Sequence, residues 1–359
     1  MNFVRIRPGG LHALASGAFQ RLGYDATRAA LAADVLHYAD LRGLDTHGIA
    51  NLADLYVPAL RLGDIRVDAQ PRWHSQGGAC ALLDAQGGLG LLMAQEAMEA
   101  AIGHAKDFGI GCVAVRDSTH FGAAGFYADM ARRRGLLGLA MTNLGREPVA
   151  YPMSAARPLM GTNPIAFAAP GGAMPPFTLD MSTTVVAIGR IKQAHRREMP
   201  VPPGWLLDDE GAPVTEPGRY FTDGARLVPL GGGDVTQGGH KGWGLALMVE
   251  ALCGALPGAH TPADQDDTSG RNSVGHFLLA IDPGFFRPAG DVVNALEGLL
   301  RTVVDAQTLP SRPPLDYPGR PDAQTLDERE RLGVPLDVPL LTRLRHLAAE
   351  LDLPNLEEA

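Results

Sequence analysis

Residues 109–131, GIGCVAVRDSTHFGAAGFYADMA, decide the fold class of this 359-residue chain. The opening GIGCVA satisfies the relaxed dinucleotide pattern G-x-G-x-x-A, whose glycines bring a pyrophosphate to the N-terminus of a helix. Here the glycines lead into the strand-like run CVAVRDS, so a phosphate bound there would meet no helix end. A Rossmann domain is therefore not expected. The strand is followed by Ser118-Thr119-His120-Phe121-Gly122-Ala123-Ala124-Gly125 and a helical run at 123–134. The small residues of that turn allow either close approach of a flat ligand to the backbone or tight packing of helix on sheet.

Outward from this stretch, strand-like runs at 79–85, 136–143, 164–170 and 177–182 and a helical run at 91–107 predict an α/β body. A helix at 241–256, a strand at 275–282 and a helix near 290–306 complete it, over residues 76–306. Towards the N-terminus, Leu11, Leu14, Ala15, Ala18, Phe19 and Leu22 recur at helical spacing. A second helix starts at Asp25, a plausible N-cap, and stops by Gly43, while a third at 49–62 is closed by Gly63. A last helix at 337–351 is expected to return to these, giving a helical lobe of residues 1–75 plus 307–359. The Pro/Asp/Ser-rich segments 257–274 and 307–330 read as surface loops.

Composition narrows the function classes. A net charge of −9 without a run of lysines or arginines argues against a nucleic-acid groove, and His195-Arg196-Arg197 reads as a solvated turn. The longest apolar segment, GWGLALMVEALCGALPGA, contains Glu250 and Pro257, so no membrane span is expected. Cys80, Cys112 and Cys253 lie in apolar runs and read as buried free thiols in a reducing compartment. With no signal-peptide core in MNFVRIRPGG, the expectation is cytoplasmic.

Chemistry concentrates in few places. In GLDTHGIANL, residues 43–52, His47 leaves a helix beside Thr46 and Asp45, either of which can orient an imidazole for acid/base work. The same position also suits a cation facing helix C-terminal carbonyls. In Gly238-Gly239-His240-Lys241-Gly242, free amides, a lysine and a helix N-terminus converge, either on an anion or merely on a capped core helix. No metal site is expected, because the 11 histidines include no H-E-x-x-H and the cysteines no pair at ligand spacing. A G-x-S-x-G nucleophile elbow is also missing.

Ordered blocks carry a resemblance: GLDTHGI at 43–49, DSTHFGAAGFYADMA at 117–131, GTNPIAFAAP at 161–170, LDMSTTVVAIGRI at 179–191, PLGGG at 229–233, GHKGWGLALMVEALCGALPGA at 239–259 and GHFLLAID at 275–282. Together they resemble the malate/L-lactate dehydrogenase family of the second type, which also contains ureidoglycolate and sulfolactate dehydrogenases and cyclic-imine reductases. The resemblance implies a homodimeric oxidoreductase with a non-Rossmann NAD(P)-binding α/β fold, taking NAD or NADP and a small 2-hydroxy acid, malate-like or lactate-like. It implies cofactor contacts at His120, Phe121 and Gly122, at Asp180, Met181 and Ser182, and at His240, Lys241 and Gly242. His47 is implied as the acid/base with Thr46 in its relay, His120 is the rival, and Asp45 is a further orienter visible in this sequence. Thr162 is implied to donate to substrate. Where relatives commonly carry a carboxylate-clamping arginine this chain has Asn51, and Arg146 is the candidate replacement. Arg190 stands where imine reductases place a relay aspartate, which argues against imine reduction. A cyclic-imine reductase and a catalytically silent ligand-binding homologue are the alternatives.

Overall fold

The computed structural model describes residues 3–152, 155–222, 224–266 and 270–359. At its centre lies a seven-stranded mixed sheet, in the order Arg72–Gly77, Cys80–Asp84, Ile110–Ser118, Val274–Ile281, Leu137–Thr142, Ile165–Ala169, Phe177–Met181. Cys80–Asp84 and Ile110–Ser118 run parallel, and the Gly90–Phe108 helix makes the crossover that a parallel pair needs. The other neighbours in the sheet are antiparallel.

The GIGCVA glycines are explained by packing. Gly109 is the left-handed C-cap of the Gly90–Phe108 helix, with φ 81°. A Cβ on Gly111 would collide with the Ala101 carbonyl of that same helix. Both glycines thus serve the entry of the strand beneath its crossover helix.

Local signals placed the N-terminal helices well. Asp25 caps Ala26–Leu41 by accepting from the Arg28 amide at 2.9 Å, and Gly43 and Gly63 take φ of 78° and 81°. The third helix opens as a π-turn, Leu52–Tyr56, before Val57–Leu62. The C-terminal segment returns as expected: Phe3–Ile6 pairs antiparallel with Val334–Asp337, and Leu340, Leu341, Leu344 and Leu347 of Val338–Glu350 share a core with Leu11, Leu14 and Phe19. Each such side chain contributes roughly 1.5–3 kcal/mol on full burial. That core continues into the sheet through Leu83, Val113, Val115 and Leu278.

A second core, built on Met160, Val186, Ile191, Leu206, Leu227 and Ala246, surrounds a three-stranded sheet of Leu206–Leu207, Pro213–Val214 and Arg226–Leu227. Strands of two residues carry no readable periodicity, so this sheet was not foreseen.

Three expectations are corrected. Residues 307–330 are not loop throughout, because Arg320–Leu332 is a helix. It has no apolar stripe, and its one buried residue is Arg329, which docks on the Asp40 carbonyl and the Asp45 carboxylate. His195-Arg196-Arg197 is not a solvated turn: Arg196 and Arg197 converge on the buried Asp337 carboxylate at 2.7 and 3.1 Å. Cys80 is exposed rather than buried, and its Sγ lies 3.2 Å from that of Cys112 on the adjacent parallel strand.

Within 257–274, residues 267–269 lie outside the described residues. Among the described residues no helix is long and apolar enough to cross a membrane. Glu250 is buried and accepts from the amides of Asn143 and Asn163 at 2.9 and 2.8 Å. A charge in an apolar helix thereby ties the GTNP loop to the helix beginning at Gly239.

Candidate active site

A cavity of about 380 Å3 forms where five separate segments meet: Leu44, Thr46 and His47 after the second helix, Gly122–Ala124 after the Ile110–Ser118 strand, Thr162 and Pro164 of GTNP, a stretch from Asp180 to Arg190, and Leu230. Glycines set the approach of these segments. A Cβ on Gly48 would collide with Asp40 Oδ1, so only glycine lets the turn fold over that side chain. The Asp40 carboxylate then accepts from the Ile49 amide through both oxygens, at 3.0 and 2.9 Å. Burial pushes its pKa up to about 8, the amide bonds only partly opposing this. A Cβ on Gly189 would stand 2.5 Å from the Thr46 Cβ, so the helix Ile188–Arg196 can abut the Thr46-His47 turn.

Within this turn the orienting group is Thr46, whose Oγ1 lies 2.7 Å from His47 Nδ1. Asp45 does not share that task. Its carboxylate faces the Arg329 guanidinium, because the Arg320–Leu332 helix brings a cation to the outer side of the turn. Asn51 donates to the Thr46 carbonyl at 3.1 Å and so braces the turn.

His47 and His120 stack, with ring centroids 5.8 Å apart and planes 12° from parallel. Tyr56 Oη lies 2.8 Å from His120 Nδ1, and the Gly122 amide donates to the same nitrogen at 3.2 Å. With Nδ1 accepting from an N–H, the neutral ring carries its proton on Nε2; this tautomer follows from the network. Tyr56 was missed in the sequence. Its signal was faint, a tyrosine in an apolar helix whose hydroxyl needs a partner when buried. Burial lowers both imidazoles, His47 to about 4 and His120 to about 3, the latter aided by repulsion from His47. Both rings are therefore neutral at neutral pH.

The segments expected to contact the cofactor separate by position. Gly122, Asp180, Met181 and Ser182 line the cavity. Asp180 accepts from the Gly125 amide at 2.7 Å, and burial raises its pKa to about 6 against that bond. Phe121 is fully buried and stacks on His276 with centroids 4.7 Å apart, so its side chain belongs to the core. His240 and Lys241 are exposed and do not line the cavity, although Gly242 packs against the backbone of Leu230, which does. Thr162 lines it, whereas Arg146 does not and donates to the Gly270 carbonyl at 2.6 Å. Arg190, a residue that the sequence marked only for what it replaces, lines the cavity with His47.

The model of the malate/L-lactate dehydrogenase family matches residues 6–345. A malate dehydrogenase of Pyrococcus abyssi is 35% identical over 357 residues, 99% of this chain and 97% of that protein. A (2R)-3-sulfolactate dehydrogenase (NADP(+)) of Chromohalobacter salexigens is 35% identical over 299 residues, covering 82% of this chain and 85% of its own. The crystal structure of malate dehydrogenase from Entamoeba histolytica superimposes with a TM-score of 0.93 at 29% identity, covering 98% of this chain and 99% of that one.

Proposed function

The chain belongs to the malate/L-lactate dehydrogenase family, and on that premise we propose that it oxidises and re-forms a small 2-hydroxy acid with NAD or NADP, with His47 as the acid/base. The observation that carries the reading is a neutral imidazole, fixed through Nδ1 by Thr46, lining one cavity with Gly122, Asp180, Met181 and Ser182.

Nδ1 being held by the threonine hydroxyl, Nε2 of His47 is left to meet the substrate. A 2-hydroxy acid becomes a 2-oxo acid only as its hydroxyl proton departs, and a neutral imidazole is the form that accepts it. His120 does not itself line the cavity but stacks on His47, and in this reading its Nε2–H, fixed by the Tyr56 and Gly122 contacts at Nδ1, is a hydrogen-bond donor beside the same oxygen. Thr162 supplies a further hydroxyl. The dinucleotide, when bound, supplies the acceptor for the hydride of the carbinol carbon. The chain fits such a group in one respect: Gly122, Ala123 and Ala124 present little side chain to the cavity, so a flat ligand can approach the backbone there, while the Gly125 amide of the following helix is already taken by Asp180. His240, Lys241 and Gly242, at the start of Gly239–Val249, are an anion contact in this reading.

We read the body as a non-Rossmann NAD(P)-binding domain of residues 76–306 with a helical lobe of 1–75 plus 307–359, supported by the mainly antiparallel sheet and the pairing of the two chain ends. A homodimer is supported by exposed Phe285, Phe286 and Leu299 on and beside the helix Ala289–Val304, and light scattering tests it.

Turnover of a panel of 2-oxo acids and cyclic imines, followed by loss of reduced-nicotinamide absorbance with NADH and with NADPH, tests the activity. A 2-oxo acid is expected to be the best substrate. A cyclic imine turned over faster overturns the reading, and cofactor binding without any turnover marks a silent homologue.

A further inference from the structure

We propose that Arg190 is the cation that grips the acid group of the substrate, in place of the arginine that this chain lacks at Asn51. The inference rests on the dehydrogenase reading above and names the residue that selects carboxylates for that site.

Among the described residues, Arg190 is the one lysine or arginine lining the cavity that holds His47 and Thr162. Its guanidinium makes no hydrogen bond or ion pair with any described residue. Lys192, two residues on, also has none and its charge disfavours protonation of His120, but it lines a different cavity with Asp54 and His195. Other basic groups are engaged. Arg196 and Arg197 converge on Asp337, Arg329 on Asp45, and Arg116 on Asp84. Asn51, the formal counterpart of the missing cation, spends its amide on the Thr46 carbonyl. Arg146 is directed to Gly270, away from the cavity.

The placement of Arg190 is fixed from both sides. Gly189 before it abuts Thr46, and Ile191 after it is fully buried in the second core. At the far end, the ion pairs of Arg196 and Arg197 fasten the same helix to the C-terminal segment. Arg190, an exposed residue, thus borders the cavity directly after the glycine that abuts Thr46, the partner of His47. The acid group lining the cavity, Asp180, forms no ion pair with it among the described residues and is already bonded to the Gly125 amide. A planar guanidinium beside a proton-accepting imidazole matches a ligand with a carboxylate next to a hydroxyl-bearing carbon, because two parallel N–H groups bind both carboxylate oxygens at once.

The test uses oxamate, an unreactive isostere of a 2-oxo acid, titrated calorimetrically into wild-type protein, R190Q and R190K, each loaded with NADH or NADPH. R190Q is expected to bind oxamate roughly 10- to 100-fold more weakly, the scale of a lost charge-assisted pair. R190K should recover part of the loss, and NAD(P)H binding should be unchanged. In turnover of a 2-oxo acid, R190Q should raise KM more than it lowers kcat. Oxamate binding that is absent from wild type, or equal in R190Q, overturns the proposal, as does a loss confined to NAD(P)H. The two readings fail separately: Arg190-dependent oxamate binding without turnover of any 2-oxo acid sinks the dehydrogenase and keeps the clamp. Turnover indifferent to residue 190 does the reverse.

Discussion

His47 and His120 stand face to face at 5.8 Å, yet their outer contacts differ: a threonine hydroxyl on Nδ1 of the first, a tyrosine hydroxyl and a backbone amide on Nδ1 of the second. The Thr46 hydroxyl can donate or accept, so His47 can change protonation without losing its partner. The Gly122 amide can only donate, so protonating His120 at Nδ1 sets two N–H groups against each other. In the proposed reading the pair thereby divides into a proton carrier and a fixed donor.

H47A is expected to lower kcat by about 10²–10⁴-fold, the usual share of a general acid/base, with NAD(P)H affinity retained. H120A should act more on KM. Steady-state kinetics with fluorescence titration of NADH decides, and the opposite assignment would be required if H120A lost turnover while H47A kept it.

Gly48→Ala places a methyl group against Asp40 Oδ1 and should destabilise by about 1–3 kcal/mol, as overpacking of a closed site does. Gly103→Ala is the control. It lies in the Gly90–Phe108 helix with nothing within 4 Å of an added Cβ, and should stabilise by about 0.5–1 kcal/mol. Urea unfolding of both variants reads the contrast.

Acid should weaken the fold through its buried imidazoles. His47, His120 and His276 are lowered by burial to about 4, 3 and 3, so the unfolded chain binds their protons first. The stability they contribute is present above about pH 6.5 and is lost as pH falls towards those values. Asp40 and Asp180, raised to about 8 and 6, work oppositely, since the folded state binds their protons more tightly and loses stability as pH rises through that range. His276 is the cleanest probe, lying in the core between Thr142 and Ser118 at 2.7 and 2.8 Å. H276Q should reduce the slope of unfolding free energy against pH between 4 and 6 by up to about 1.4 kcal/mol per pH unit. An unaltered slope would show that His276 does not titrate on unfolding.

Cys80 and Cys112 should be the thiols that pair on oxidation, being in register on neighbouring strands with sulfurs 3.2 Å apart. Diamide, as two-electron oxidant, is expected to remove two of the three titratable thiols from the denatured protein and none beyond that, because Cys253 is buried. Loss of fewer than two thiols, or a C80S variant that still loses two, would contradict the pairing.

What the sequence determined by itself was local. Asp25 capped its helix, Gly43 and Gly63 closed theirs, and a strand followed GIGCVA, because caps, left-handed glycines and strand runs act over a few residues. Ordered motifs likewise marked His47, Gly122, Thr162 and Asp180 as candidates before any of them was seen to share a cavity. Only the tertiary structure decided which side chains face one another. It turned Asp45 outward to Arg329 and gave Tyr56 to His120. It also put Arg190, and not Arg146, on the cavity wall. The physical reason is that a charge or hydroxyl pairs with whatever group packing brings within about 3 Å. The helices at 188–196 and 320–332 that deliver those groups are long-range neighbours whose sequences carry no mark of their destination.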